Sequence, residues 1–76
     1  MRIIEHGSNY VVVDLGGNVV LFSYNTPVAG HIGGEFCRTS EHHSKTTSKH
    51  INQWLEGRKA VEKPQAFFDD LAKGRA

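Results

Sequence analysis

Five histidines and one cysteine among 76 residues are the side chains best suited to chemistry. His42, His43 and His50 lie close along the chain. Were a helix to reach back to His43, it would stand about two turns from His50, too far for chelation from adjacent turns. No acidic or thiol partner has zinc-ligand spacing, so no metal site is read. Cys37 would be a nucleophile only beside a base, and no nucleophile motif surrounds it. It reads instead as a small apolar residue of an edge strand. The pairs Gly16-Gly17 and Gly33-Gly34 lack the contexts of phosphate-binding loops and read as turns. No pair of residues has a motivated catalytic geometry. The chain therefore reads as a non-enzyme without cofactor or metal.

Two stretches point to binding. Arg38 to His50 carries three cations, one anion, three histidines and six hydroxyls, and it runs into a helix start. Free N–H groups and the positive dipole end there favour an anion. The plainer reading is that the hydroxyls cap the helix and the charges face water. Arg38, His42, His43, Lys45 and Lys49 are the candidate partner-binding residues of this stretch. The second is Tyr24-Asn25-Thr26-Pro27, a polar turn between apolar strands that could present Tyr24 and Asn25 to a partner.

The elements that must position these residues follow from periodicity. Ile3–Glu5 reads as a short strand, Gly7-Ser8-Asn9 as a turn, and Tyr10–Asp14 as a strong strand. Leu15–Asn18 supplies a tight turn, and Val19–Tyr24 returns. Both faces of that strand are largely apolar, so it belongs in the centre of a sheet, covered on at least one side. Pro27 cannot donate to a ladder and marks a turn or bulge; Val28-Ala29 resume pairing. Glu35–Arg38 is the last short strand. Thr47, Ile51, Trp54 and Leu55 then follow a helical stripe over 44–56, with Gly57 as its stop. Arg58–Lys63 reads as a charged connection. A second helix over 64–73 opens at Pro64, buries Phe67, Phe68 and Leu71, and closes at Gly74.

The expected fold is α+β: a curved antiparallel sheet of four to five strands, a main helix packed across it, and a short C-terminal helix. One domain spans 1–76, with 1–38 as the β-meander. The expected core is Ile4, Val11, Val13, Val20, Phe22, Ile51, Trp54 and Leu55, with the choice of strand face left open. Phe67, Phe68 and Leu71 are either core or a homodimer contact, so the chain is a monomer or a homodimer.

Charge and composition limit the function classes. Nine cations against eight anions give +1, which excludes a histone-like polycation and a chain-wide DNA-mimicking polyanion. A lone cysteine excludes a disulfide framework and suits a reducing cytoplasm. The longest apolar run, Val19–Phe22, is far short of the roughly 18 residues of a membrane span. The opening residues lack a signal-peptide core, so no membrane association is read.

The strings Ser8-Asn9-Tyr10-Val11-Val12-Val13-Asp14, Val20–Ala29 and Ser44–Leu55 resemble a family of small, largely uncharacterised proteins of phages and mobile elements. The similarity covers about residues 3–55, and the Thr46–Leu55 string is its most specific part. The resemblance implies a phage-type accessory protein in a bacterial host cytoplasm. It further implies an inhibitor of a host defence protein, an anti-CRISPR that blocks a Cas protein or a CRISPR surveillance complex, or its DNA recruitment. The alternative is a nucleic-acid-binding accessory or regulatory protein using the segment 38–50.

Overall fold

The computed structural model describes residues 2–73. Six strands and two helices follow one another as β1 (Arg2–Gly7), β2 (Tyr10–Asp14), β3 (Val19–Ser23), β4 (Thr26–Ile32), β5 (Glu35–Thr39), α1 (Lys45–Leu55), β6 (Val61–Lys63) and α2 (Gln65–Ala72). The strands form one sheet in the order of the chain. Neighbours from β1 to β5 pair antiparallel, and β6 joins β5 in parallel. A parallel joint needs a crossover, and α1 supplies it.

The sheet therefore has six strands where four or five were expected. The extra one is β6, which lies in the stretch read as a charged connection. Three residues, two of them charged, carry no visible alternation. Pairing of Cys37–Thr39 with Val61–Lys63 makes them a strand.

Helices cover both faces of the sheet, and this sorts the core. Under α1 lie Val12, Leu21, Val28 and Ala29 with Ile51 and Leu55. Under α2 lie Val13, Val20 and Cys37 with Phe68 and Leu71. Of the expected core, Val13, Val20, Ile51 and Leu55 are buried, and the strand face that the sequence leaves open is set by the helices, with Val13 and Val20 under α2 and not α1. Because side chains alternate along a strand, the α1 face takes Val12 and Leu21 instead. Ile4 is a further correction. It is half exposed on edge strand β1, beside a break in register between Ile3 and Glu5. Val11, Phe22 and Trp54 are only partly buried. Phe68 is fully buried within its own chain and Phe67 packs partly against the same cluster, so this pair needs no second copy to cover it.

Pro27 lies within β4. The register passes from Leu21 opposite Ala29 to Phe22 opposite Pro27, leaving Val28 as the extra residue of a bulge. A bulge is where a sheet tolerates proline. It also lets adjacent Val28 and Ala29 both bury on the α1 side. Gly30, further along β4, is required by close packing, since a β-carbon there would stand 2.6 Å from the Val19 carbonyl oxygen.

Helix α1 begins at Ser44, whose hydroxyl accepts from the Thr47 N–H, and ends at Glu56 in a left-handed conformation. Gly57 follows, also left-handed. Pro64 stands just before α2 with φ −63°, and Gly74, expected to close that helix, lies outside the described residues. No helix is long and apolar enough to cross a membrane among the described residues.

Candidate functional site

One end of the sheet gathers the turns β1–β2 and β3–β4, and Tyr10 stands between them. Its ring lies over Gly7, where any β-carbon would collide with it, so a glycine opposite the tyrosine keeps the ring flat on the sheet. The phenol donates to Glu5 Oε2 at 3.0 Å. That carboxylate pushes the Tyr10 pKa above its usual value of 10.0, with smaller contributions from burial and from the Glu5 charge.

Three hollows surround Tyr10. One of about 340 Å³ opens between Asn9, Phe22, Tyr24 and Asn25. A second, about 260 Å³, is lined by Asn9, Thr46, Lys49, His50 and Gln53. The third, about 90 Å³, lies between Glu5, Trp54 and Glu56. Tyr10 lines all three. His50 is the second shared wall, with its ring 5.2 Å from that of Tyr10 and 6.0 Å from that of Tyr24.

A buried polar network fixes His50. Ser23 Oγ lies 2.8 Å from His50 Nδ1 and 3.0 Å from Thr47 Oγ1. Ser44 Oγ donates to Thr47 Oγ1 at 3.2 Å. A serine bonded to an imidazole has the geometry of an activated nucleophile. Ser23, however, is only 1% exposed and shares its hydroxyl with Thr47 beneath α1. It is a pin between β3 and α1, not a reactive group.

The backbone gives an independent sign. Non-glycine residues with positive φ are Asn9, Tyr24, Asn25 and Glu56 among the described residues. All four line the hollows around Tyr10. Tyr24 and Asn25, at φ 50° and 67°, form the two-residue turn between β3 and β4. The Tyr24 N–H donates to the Asn9 carbonyl at 2.8 Å, tying the two turns together. Tyr24 is half exposed. A bulky residue in the left-handed region is a genuine outlier, and such outliers cluster at functional sites.

The sequence candidates divide among three places. Tyr24, Asn25 and Lys49 line the hollows at the Tyr10 end. Lys45, one turn before Lys49, is exposed on α1. Arg38 approaches α1 from β5, where its Nη1 reaches Asn52 Oδ1 at 3.5 Å, whereas Lys49 flanks the Tyr10 side. His42 is exposed in the loop before α1. His43 belongs to the scaffold. Its Nε2 lies 2.9 Å from Gln65 Oε1, which also accepts from Thr39 at 2.8 Å, while Gln65 Nε2 donates to the Pro27 carbonyl at 2.7 Å. His31 stacks on Phe36. Among the described residues no three of His, Cys, Asp and Glu converge as metal ligands would. Cys37 is 1% exposed. Burial, then Glu35, push its thiol upward against a smaller lowering by Lys63, so the thiol stays protonated and unreactive.

Glu5, Tyr10, His50, Gln53, Trp54 and Glu56 were not among the sequence candidates. One signal was available: alternation puts Ser23 on the face of Leu21, and Thr47 and His50 are three apart on α1. Together these bring three polar groups to one place.

The chain belongs to DUF8033, a family of unknown function whose model matches residues 3–70. Neither a curated protein nor a solved structure matches it.

Proposed function

We propose that this member of DUF8033 is a non-catalytic binding module that occupies a surface of a partner protein through its Tyr10–Tyr24 end. The observation that carries this reading is the set of four left-handed, side-chain-bearing residues around one cluster of hollows. Asparagine tolerates this region and Glu56 is the cap of α1, but at Tyr24 glycine would relax the backbone, so the tyrosine side chain is retained despite a conformational cost. An exposed tyrosine held at a rigid turn suits an interface anchor, since tyrosine supplies large contact area with little side-chain entropy to lose. In the serine–histidine pair at this end the serine is buried, which supports recognition over catalysis.

The resemblance of the Ser8–Asp14, Val20–Ala29 and Ser44–Leu55 strings supports a specific form of this reading. The partner is a bacterial defence protein, and the module acts as an anti-CRISPR that occludes a Cas effector or surveillance complex. A standard interface takes about 800 Å² from each partner. The described residues expose 4825 Å², so such a surface is readily available.

The test is capture from lysate of a host carrying an active defence system, with phage survival scored in parallel. Wild-type protein retains a defence component. Tyr24→Gly combined with Lys49→Ala loses it, and Lys59→Ala, which lines none of the three hollows, does not. No captured component together with unchanged phage survival overturns the reading. Recovery of nucleic acid, with affinity falling steeply between about 50 and 200 mM salt, would instead favour the nucleic-acid alternative through Arg38, Lys45 and Lys49.

A further inference from the structure

The smallest of the three hollows has a different chemistry from its neighbours. Tyr10, His50 and Trp54 supply ring walls, and Glu5 and Glu56 supply two carboxylates. Gln53 completes the lining, and no lysine or arginine takes part in it. Neither carboxylate has a cation within salt-bridge distance among the described residues, where the pairing found is Arg2 with Asp14. The nearby cations are engaged or turned elsewhere. Arg58 lies over the Phe36 ring and donates to the Leu55 carbonyl, and Lys49 lines the neighbouring hollow and not this one. Glu5 is aimed by the Tyr10 phenol at 3.0 Å, and His50 by Ser23 at 2.8 Å. The walls are thus set before any ligand arrives.

Aromatic faces attract a cation through their quadrupoles, and two carboxylates without counter-ions add a charge term within a partly enclosed space. The volume is about 90 Å³, enough for an ammonium or guanidinium head with its last methylenes and too small for a whole peptide unit. We infer that this hollow is a receptor for an organic cation, the tip of an arginine or lysine side chain on the partner protein. The inference rests on the binding-module reading and names the partner chemistry: a basic residue set beside the surface that meets Tyr24. The polar hollow containing Lys49 shares Tyr10, His50 and Gln53 with it, so the end presents an anionic and a cationic socket side by side. Such an arrangement fixes the orientation of a partner as well as its identity.

Trp54 is the single tryptophan, so its emission reports occupancy of the hollow directly. The full chain is titrated with Nα-acetyl-arginine amide, with neutral Nα-acetyl-norleucine amide, and with choline. The arginine amide produces a saturable change with a Kd of about 1 mM, as a fragment of this size allows. The norleucine amide produces none. Glu5→Gln with Glu56→Gln weakens the arginine amide about tenfold. Gln53→Lys, at an exposed helix position where folding is preserved, abolishes saturation by placing a cation at the rim. No saturation by about 100 mM, equal responses to the arginine and norleucine amides, or undiminished binding by both variants overturns the inference. Choline binding more tightly than the arginine amide overturns the assignment to a partner side chain and points to a free quaternary ammonium ligand. These titrations need no partner, so their failure is separate from a failure of capture through Tyr24.

Discussion

Strand β4 ends in a two-residue turn on each side, and the two turns share one backbone shape with different residues. At one end Gly33 and Gly34 take φ 59° and 83°; at the other Tyr24 and Asn25 take 50° and 67°. Both are left-handed pairs of the kind that matches strand twist. The glycine turn adopts this shape without steric cost. The tyrosine turn carries a β-carbon where the left-handed region penalises one, at about 1 kcal/mol or more. The Gly33-Gly34 turn is therefore free of backbone cost. The Tyr24-Asn25 turn keeps a bulky side chain in spite of the backbone, and it borders the hollows around Tyr10.

The strongest way to break this comparison is to move the tyrosine turn. Gly33→Tyr with Gly34→Asn should destabilise the fold by about 2 kcal/mol, lowering the melting temperature on the order of 10 °C in a domain this small. An unchanged melt would show that the turn shape carries no residue preference here. Ser23→Ala comes next. It leaves the buried Thr47 hydroxyl with Ser44 as its remaining side-chain partner and takes the Ser23 partner from His50, at about 1–2 kcal/mol in a urea titration, and it loosens the wall that His50 forms. A smaller change of opposite sign follows for Tyr24→Gly, which should gain about 1 kcal/mol of stability while losing partner capture. Stability and binding falling together would refute the division of labour between the two turns.

The smallest effect is electrostatic. The Glu5 carboxylate raises the Tyr10 pKa. The linked contribution to stability is therefore present below the unfolded value of about 10 and lost as pH rises through the higher folded value. Glu5→Gln should bring Tyr10 ionisation to lower pH, read as tyrosinate absorbance in a Tyr24→Phe background. No movement would mean that the phenol and carboxylate do not meet in solution.

Much of the scaffold was legible because it is local. Apolar β-branched runs mark β2 and β3, a helical stripe marks each helix, and glycine or proline punctuation marks the turns and the bulge beside Pro27. Strand β6 was hidden because its strand character comes from β5 rather than from Val61-Glu62-Lys63. The choice of strand face stayed open for a related reason. When both sides of β3 are apolar, period two cannot say which helix covers which side. Tyr24 and Asn25 stood out as polar residues between apolar strands, and Lys49 as a cation near a helix start. Glu5, Tyr10, Trp54 and Glu56 come together only through pairing of β1 with β2 and the passage of α1 above them. That juxtaposition has no one-dimensional trace.

The parallel joint of β5 with β6 has a kinetic consequence. From β1 to β5 each strand can add to its immediate predecessor, a sequence of short loop closures. The last joint must wait for α1 to cross, and only then can α2 seal the opposite face, so this seam closes late in folding. Reopening it first would bare Cys37, which pairs with Val61 across the seam and packs beneath α2. Labelling of this single thiol would therefore report opening of the β5–β6 seam.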